Sequence, residues 1–299
     1  MPMSPLLRLA CRLAALAATV QLVLPAQAAS CETPQRLRYS MVPEGNVAQD
    51  LLRFQPLLKS LGTTLGVPVD VLTPSSYATV IEGLLSGSVD VARLGPSSYV
   101  SARGRDPGVT PFATFAQKQT AFQEEGPFYH SLLVVLAKGP FRMPGQLKGA
   151  SVALVDPNST SGNVIPRRLF GPSLGVPFAS YFGRISYAGS HQGAAGAVLE
   201  QRVDAAFVSS LHLSKLIDDR RARMEDFRIL WRSQPIPMDP FVYRASLCPE
   251  MKAKIRAAFL EKSVGASGVL DEMHATRFLG VKDSDYDVIR RIEQRDGVD

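Results

Sequence analysis

Twice along this chain of 299 residues, short apolar runs rich in β-branched residues alternate with stretches of helical period. In the first pass, Leu37 to Val42 reads as a strand. Ala48 to Leu65 follows as a helix, with Leu51, Leu52, Phe54, Leu58, Leu61 and Leu65 near helical spacing. Val67 to Leu72 then reads as a strand, Tyr77 to Leu85 as a helix and Val89 to Leu94 as a strand. The pattern restarts with strands at Ser131 to Leu136, Ser151 to Leu154, Arg184 to Tyr187 and Val203 to Val208, interleaved with helices from Ser161 and from Gln192. Strand, helix and strand with brief Gly, Pro and Ser punctuation form crossover units, and crossover units build mostly parallel sheets. Two loop-rich passages, Gln117 to Tyr129 and Pro235 to Pro240, flank the second block. A chain broken at both places crosses to a second lobe and returns. The expected fold is therefore α/β with two lobes, each a mostly parallel sheet flanked by helices. Lobe 1 comprises residues 30–127 with 237–299, and lobe 2 residues 128–236.

The first residues read as an address. Arg8 and Arg12 stand at the start of a short apolar run through Leu24, and Ala26-Gln27-Ala28 has the small-residue form of a cleavage site, so residues 1–28 are expected to be a secretory signal peptide. A membrane span would need about 20 continuous apolar residues. A lipid anchor on Cys31 is the alternative, against which Ala28 stands where acylation sites favour Leu. The formal charge of +6 includes both leader arginines. The remaining excess suits an anionic ligand but is too dispersed for nucleic acid. Of three cysteines one lies in the leader, leaving Cys31 and Cys248 in a compartment that permits disulfides. An even pair there suggests one bridge, with two unconnected thiols as the alternative. The four histidines, His130, His191, His212 and His274, have no metal-ligand spacing, and no cofactor motif occurs.

The most informative stretch runs from Val152 to Asn163, where a strand enters an Asp156-Pro157 turn and then Ser159-Thr160-Ser161 at a helix start. Three hydroxyls join the unpaired backbone N–H groups of the helix end, which carry partial positive charge. Such an end holds a phosphate-like anion without a full cation, each charge-assisted bond contributing about 1.5–3 kcal/mol. The alternative is a plain N-cap, which needs only one of the hydroxyls. Gly95-Pro96-Ser97-Ser98-Tyr99 follows the strand ending at Leu94, and ligands of open α/β sheets sit beyond such strand ends. Ser97 either faces a cleft there or caps a helix.

Several ordered pieces together resemble the phosphate-, phosphite- and phosphonate-binding proteins of ABC transporters, which have the type II periplasmic binding-protein fold. They are Gly87 through Val100, Phe128-Tyr129-His130-Ser131, Asp156 through Gly162, Ser190-His191, Arg202 through Ala206 and Pro237 through Arg244. The resemblance spans nearly the whole mature chain. It implies a periplasmic solute-binding protein that captures a small phosphorus oxyanion between its lobes, works without cofactor as a monomer, and delivers the ligand to a membrane permease. It also assigns the anion shell to Tyr77, Tyr129, Ser159, Thr160, Ser161 and His191. Asp239 matches a carboxylate that helps hold the ammonium group in amine-binding members. Those members carry a second acid after the strand equivalent to Val203 to Val208, whereas this chain reads Ser209-Ser210-Leu211-His212. Phosphite, phosphate or a small alkylphosphonate suits that departure better than an aminoalkylphosphonate. A sensor built on the same fold is the alternative reading. A hydrolase using Ser159 or Ser161 with His191 is disfavoured, because no Gly-x-Ser-x-Gly elbow surrounds either serine.

Overall fold

Local sequence chemistry sets most element boundaries in the computed structural model, which describes residues 31–261, 269–271 and 273–295. The expected leader and its cleavage site lie outside these residues. After strand β1 (Leu37–Met41), Asn46 caps helix α1 (Val47–Leu65) by accepting the Gln49 N–H, and Gly66 ends it in the left-handed region at φ 70°. Strand β2 (Val69–Val71) leads to helix α2 (Tyr77–Ser86), opened by a Ser76/Thr79 capping box. Next come β3 (Val91–Arg93), α3 (Pro96–Arg105) and β4 (Thr110–Gln117). The central block holds β5 (Phe128–Tyr129), β6 (Ser131–Leu136), β7 (Ser151–Leu154), β8 (Arg184–Tyr187), α4 (His191–Leu199), β9 (Ala205–Ser209), α5 (Ser210–Asp218) and β10 (Phe227–Arg232). The chain closes with β11 (Ile236–Pro237), β12 (Phe241–Tyr243), α6 (Pro249–Leu260), β13 (Ala275–Gly280) and α7 (Asp287–Glu293).

These strands make two large sheets, ordered β13-β4-β12-β3-β1-β2 and β10-β6-β9-β7-β8, and a two-stranded ribbon of β5 and β11. The ribbon pairs Tyr129 with Ile236, so the two passages that leave and re-enter the first sheet run side by side. Parallel pairing links β1 to β2 and β3, and β7 to β8 and β9, as the crossover pattern requires. The remaining strands run antiparallel, so both sheets are mixed where the sequence pattern suggested mostly parallel ones. The physical reason is that β12 and β13 enter the first sheet on the chain's return, and β6 enters the second straight from the ribbon strand β5, so each runs against its neighbours.

Alternation along strands places the cores. On β6, Leu133 and Val135 pack with Val152, Leu154, Phe170 and Phe207, while Leu132 and Val134 face a second cluster with Ala194, Val198 and Leu213. A third cluster joins Phe54, Leu57 and Leu61 of α1 to Tyr39, Phe112, Phe241 and Phe259. Asp90 pins the first sheet: fully buried, it accepts from the Arg38 backbone N–H and guanidinium and from Arg244 Nε at 2.7 to 2.9 Å. Those arginines belong to β1 and to the residue after β12, so one carboxylate ties three neighbouring segments.

Candidate functional site

Beyond the C-terminal end of β7 the backbone turns sharply under local control. Asp156 Oδ1 accepts from the Asn158 N–H at 2.8 Å, and Ser159 Oγ accepts from the Gly162 N–H at 3.1 Å as an N-cap. The segment Thr160–Val164 then winds as a π-helix, a wider turn than an α-helix gives. Gly162 is needed for this path: a Cβ there would meet Val155 Cγ2 at 2.3 Å and Ser159 Oγ at 2.9 Å. From β6, Ser131 Oγ donates to the Ser161 carbonyl at 2.6 Å and fixes the far side of the turn.

The end of β3 meets this turn from the other sheet. Ser97 donates its backbone N–H to Thr160 Oγ1 at 2.9 Å, and Ser98 Oγ donates to the Asn158 carbonyl at 3.0 Å. A Cβ on Gly95 would sit 3.3 Å from Thr160 Oγ1, a contact tight enough that the threonine would have to give by a few tenths of an ångström. Because the Thr160 oxygen already accepts from Ser97, its own O–H is left to donate.

A small cavity lies between these segments. Tyr77, Tyr129, Ser159, Thr160, Ser161, His191 and Asp239 all line it. Ser97 does not; it reaches the site through its backbone, and Gly95 rather than Ser97 is the N-cap of α3. Burial pushes the Tyr77 and Tyr129 phenols well above the ordinary tyrosine range, so both stay protonated donors. Ser161 Oγ is buried with no partner in hydrogen-bonding geometry among the described residues, although Tyr129 stands beside it. Burial, reinforced by neighbouring His212, holds His191 well below the usual histidine range. Its Nδ1 accepts from the Ser209 N–H at 3.1 Å, which places the proton on Nε2 and makes that atom a neutral donor.

The opposite wall carries charge that sequence reasoning did not assign to the site. Arg93, on β3 and fully buried, pairs with Glu44 and, at 3.1 Å, with Asp239 Oδ2, while its guanidinium lies 5.2 Å from the Phe115 ring centre. Glu44 also accepts from His212 Nε2 at 3.2 Å, and the His212 ring stacks on His191 with centres 4.5 Å apart. Burial works against the Glu44 charge, but Arg93 and His212 overcome it and hold this carboxyl below its usual range. Burial pushes Asp239 up to about 6 despite Arg93, with Glu44 adding to the rise. The second acid beside Asp239 thus exists, supplied by Glu44 just after β1, and Arg93 stands between the two. No signal in the sequence joins positions 44, 93 and 239, which the β1-β3-β12 pairing brings together.

Residues 39–286 match the family of phosphonate periplasmic substrate-binding proteins of ABC transporters. The chain belongs to this family. It is 30% identical over 246 residues to the phosphonates-binding periplasmic protein of Escherichia coli, covering 80% of this chain and 70% of that protein. It is 29% identical over 283 residues to a phosphate-import protein of Mycolicibacterium smegmatis, covering 87% and 85%. Among solved structures, the binding component of a phosphonate ABC transporter from Pseudomonas aeruginosa superposes with a TM-score of 0.79 at 25% identity, covering 88% of this chain and 86% of that one. A Prochlorococcus marinus protein solved with methylphosphonate shares the fold, with a TM-score of 0.74 at 21% identity over 87% and 97% of the two chains. Family membership makes this a binding protein and not an enzyme, and the serines and His191 carry no catalytic role.

Proposed function

We propose that this protein captures a small phosphorus oxyanion in the cavity between the two sheets and presents it to the permease of an ABC transporter. The observation that carries the reading is a set of neutral donors converging on one enclosed space: two protonated phenols, the Ser159-Thr160-Ser161 turn and the His191 Nε2–H. Preorganised neutral donors suit an anion that must later be released, since each bond contributes modestly and none forms a permanent ion pair. The cation behind this wall, Arg93, is already matched by Glu44 and Asp239.

The ligand we favour is phosphite, phosphate or an alkylphosphonate with an uncharged substituent. An ammonium group would have to compete with the resident Arg93 for both carboxylates, and its own positive charge would face the guanidinium. In this reading lobe 1 comprises residues 30–127 with 237–299 and lobe 2 residues 128–236, and the Ser97–Thr160 and Ser98–Asn158 bonds hold the lobes closed. Export through cleavage after Ala28 is supported by the leader pattern, and the protein acts as a monomer in the periplasm. Calorimetric titration of ligand-stripped protein with phosphite, phosphate, methylphosphonate and 2-aminoethylphosphonate tests the assignment. Saturable one-to-one binding is expected for at least one of the first three and weaker binding for the fourth; the reverse order would defeat the argument from Arg93.

A further inference from the structure

A second cavity shares Glu44, Leu211 and His212 with the oxyanion cavity as a partition. Its space of about 30 Å³ admits one water or one monatomic ion and no organic group. Three side chains that line it, Arg93, His212 and Ser214, carry buried polar atoms with no hydrogen-bond partner among the described residues: Arg93 Nε, His212 Nδ1 and Ser214 Oγ. Buried polar groups are almost always paired, so three of them around one small space mark a binding place. Asp218 and His274, both exposed and 3.7 Å apart, also line this cavity but not the first one, so it has its own way to solvent.

We propose that this cavity is a second anion site, which binds a halide such as chloride independently of the oxyanion. All three atoms can donate. Arg93 gives Nη1 to Glu44 and Nη2 to Asp239, which leaves Nε–H for the cavity. His212 acts on Glu44 as a cation, giving it Nε2–H at 3.2 Å, and a cationic ring carries a proton on Nδ1 as well. The Ser214 hydroxyl turns to add a third donor. Both carboxylates that line the cavity are engaged elsewhere. Each Glu44 oxygen takes one of the two cations, and Asp218 faces His274. A halide accepts from every side and carries the negative charge that two cationic N–H groups favour, whereas a water brings no charge. A cation would meet Arg93 and His212 with the wrong sign. Phe115, Leu211 and Met273 complete the wall with apolar surface, which suits the weakly hydrated chloride or bromide better than fluoride.

Chloride-35 NMR on the full, ligand-stripped protein tests the site in solution, because chloride exchanging with a protein site broadens its resonance. The wild type should broaden the line saturably. Thr160→Ala should do so equally, since the oxyanion turn takes no part in this cavity, and Ser214→Ala should bind chloride severalfold more weakly through the loss of one donor. Crystals grown in bromide should show an anomalous-scattering peak bonded to Arg93 Nε and His212 Nδ1, a readout that stands even if Ser214→Ala fails to fold. The absence of saturable broadening in the wild type would overturn the proposal and leave the cavity to water. Broadening that Ser214→Ala leaves unchanged, or that Thr160→Ala removes, would overturn it too, the latter by moving the halide to the oxyanion turn. Titration with phosphite, phosphate and methylphosphonate decides the oxyanion reading separately, so either can fail while the other stands.

Discussion

Thr160 joins two helix starts, accepting from the Ser97 N–H with its oxygen, and in the proposed function its proton goes to the ligand. Thr160→Ala should therefore weaken oxyanion binding by roughly tenfold or more, since it removes one charge-assisted bond and one bond across the cavity. His191→Ala and Tyr129→Phe should each weaken binding in the same titration, because each deletes a neutral donor. Asp239→Asn is the counter-test. For a ligand with an uncharged substituent it should change affinity little or improve it, by removing negative charge near an anion. For an ammonium-bearing ligand it should cost at least as much as Thr160→Ala. The pH dependence follows from the same residue. Burial pushes Asp239 up to about 6, and a bound anion favours its neutral form further. Binding then takes up a proton and tightens as pH falls through about 6. Titrating wild type and Asp239→Asn with one ligand between about pH 5 and 8 cancels the ligand's own ionisation, and only the wild type should keep this limb. The three hydroxyls were legible in the sequence because the Ser159-Thr160-Ser161 run and its Asp-Pro turn are contiguous, whereas Tyr77, Tyr129 and His191 entered only through the family resemblance. Glu44, Arg93 and His212 were not, because their meaning lies in partners 49, 146 and more than 160 positions away.

At the scale of elements, the π-helical turn shapes the site and Gly162 permits it. Gly162→Ala should weaken oxyanion binding severalfold with the same titration, because its Cβ would collide with Val155 and disturb the Ser159 cap. The strands and helices with clean periods and caps, such as α1, α2, β6 and β7, stand close to where their sequence patterns put them. β4 and β13 escaped sequence reading for different reasons. β4 is buried along nearly its whole length, so it lacks alternation, and β13 interrupts a tail that otherwise reads as helical. Asp90 shows how much one buried charge contributes to this framework. Asp90→Ala leaves Arg38 and Arg244 without their shared partner and should cost about 3–5 kcal/mol, measured as a lowered urea midpoint. Its carboxyl is held below the usual 3.8 by hydrogen bonds from Arg38 and Arg244, which overcome its burial. That depressed value means its stabilisation is present above 3.8 and is lost as pH falls through the folded-state value.

At the scale of the whole molecule, the returning chain is tied to its beginning. Glu32 pairs with Leu247, its N–H donates to the Ser246 carbonyl at 2.7 Å, and its carboxylate meets Arg244 at 2.8 Å. This pairing supports the proposal that Cys31 and Cys248 form one disulfide; mature protein should then release no thiol until it is both unfolded and reduced, when it releases two. A free thiol at Cys248 under denaturing, non-reducing conditions would remove the bridge. The central claim is that the Ser159-Thr160-Ser161 turn is the seat of the anion. Parallel calorimetric titrations of ligand-stripped wild type and Thr160→Ala with phosphite, phosphate and methylphosphonate test it most directly. The account predicts one-to-one binding by the wild type and an affinity at least tenfold lower in the variant for whichever oxyanion binds. Equal affinity of the two proteins would place the anion elsewhere and contradict it.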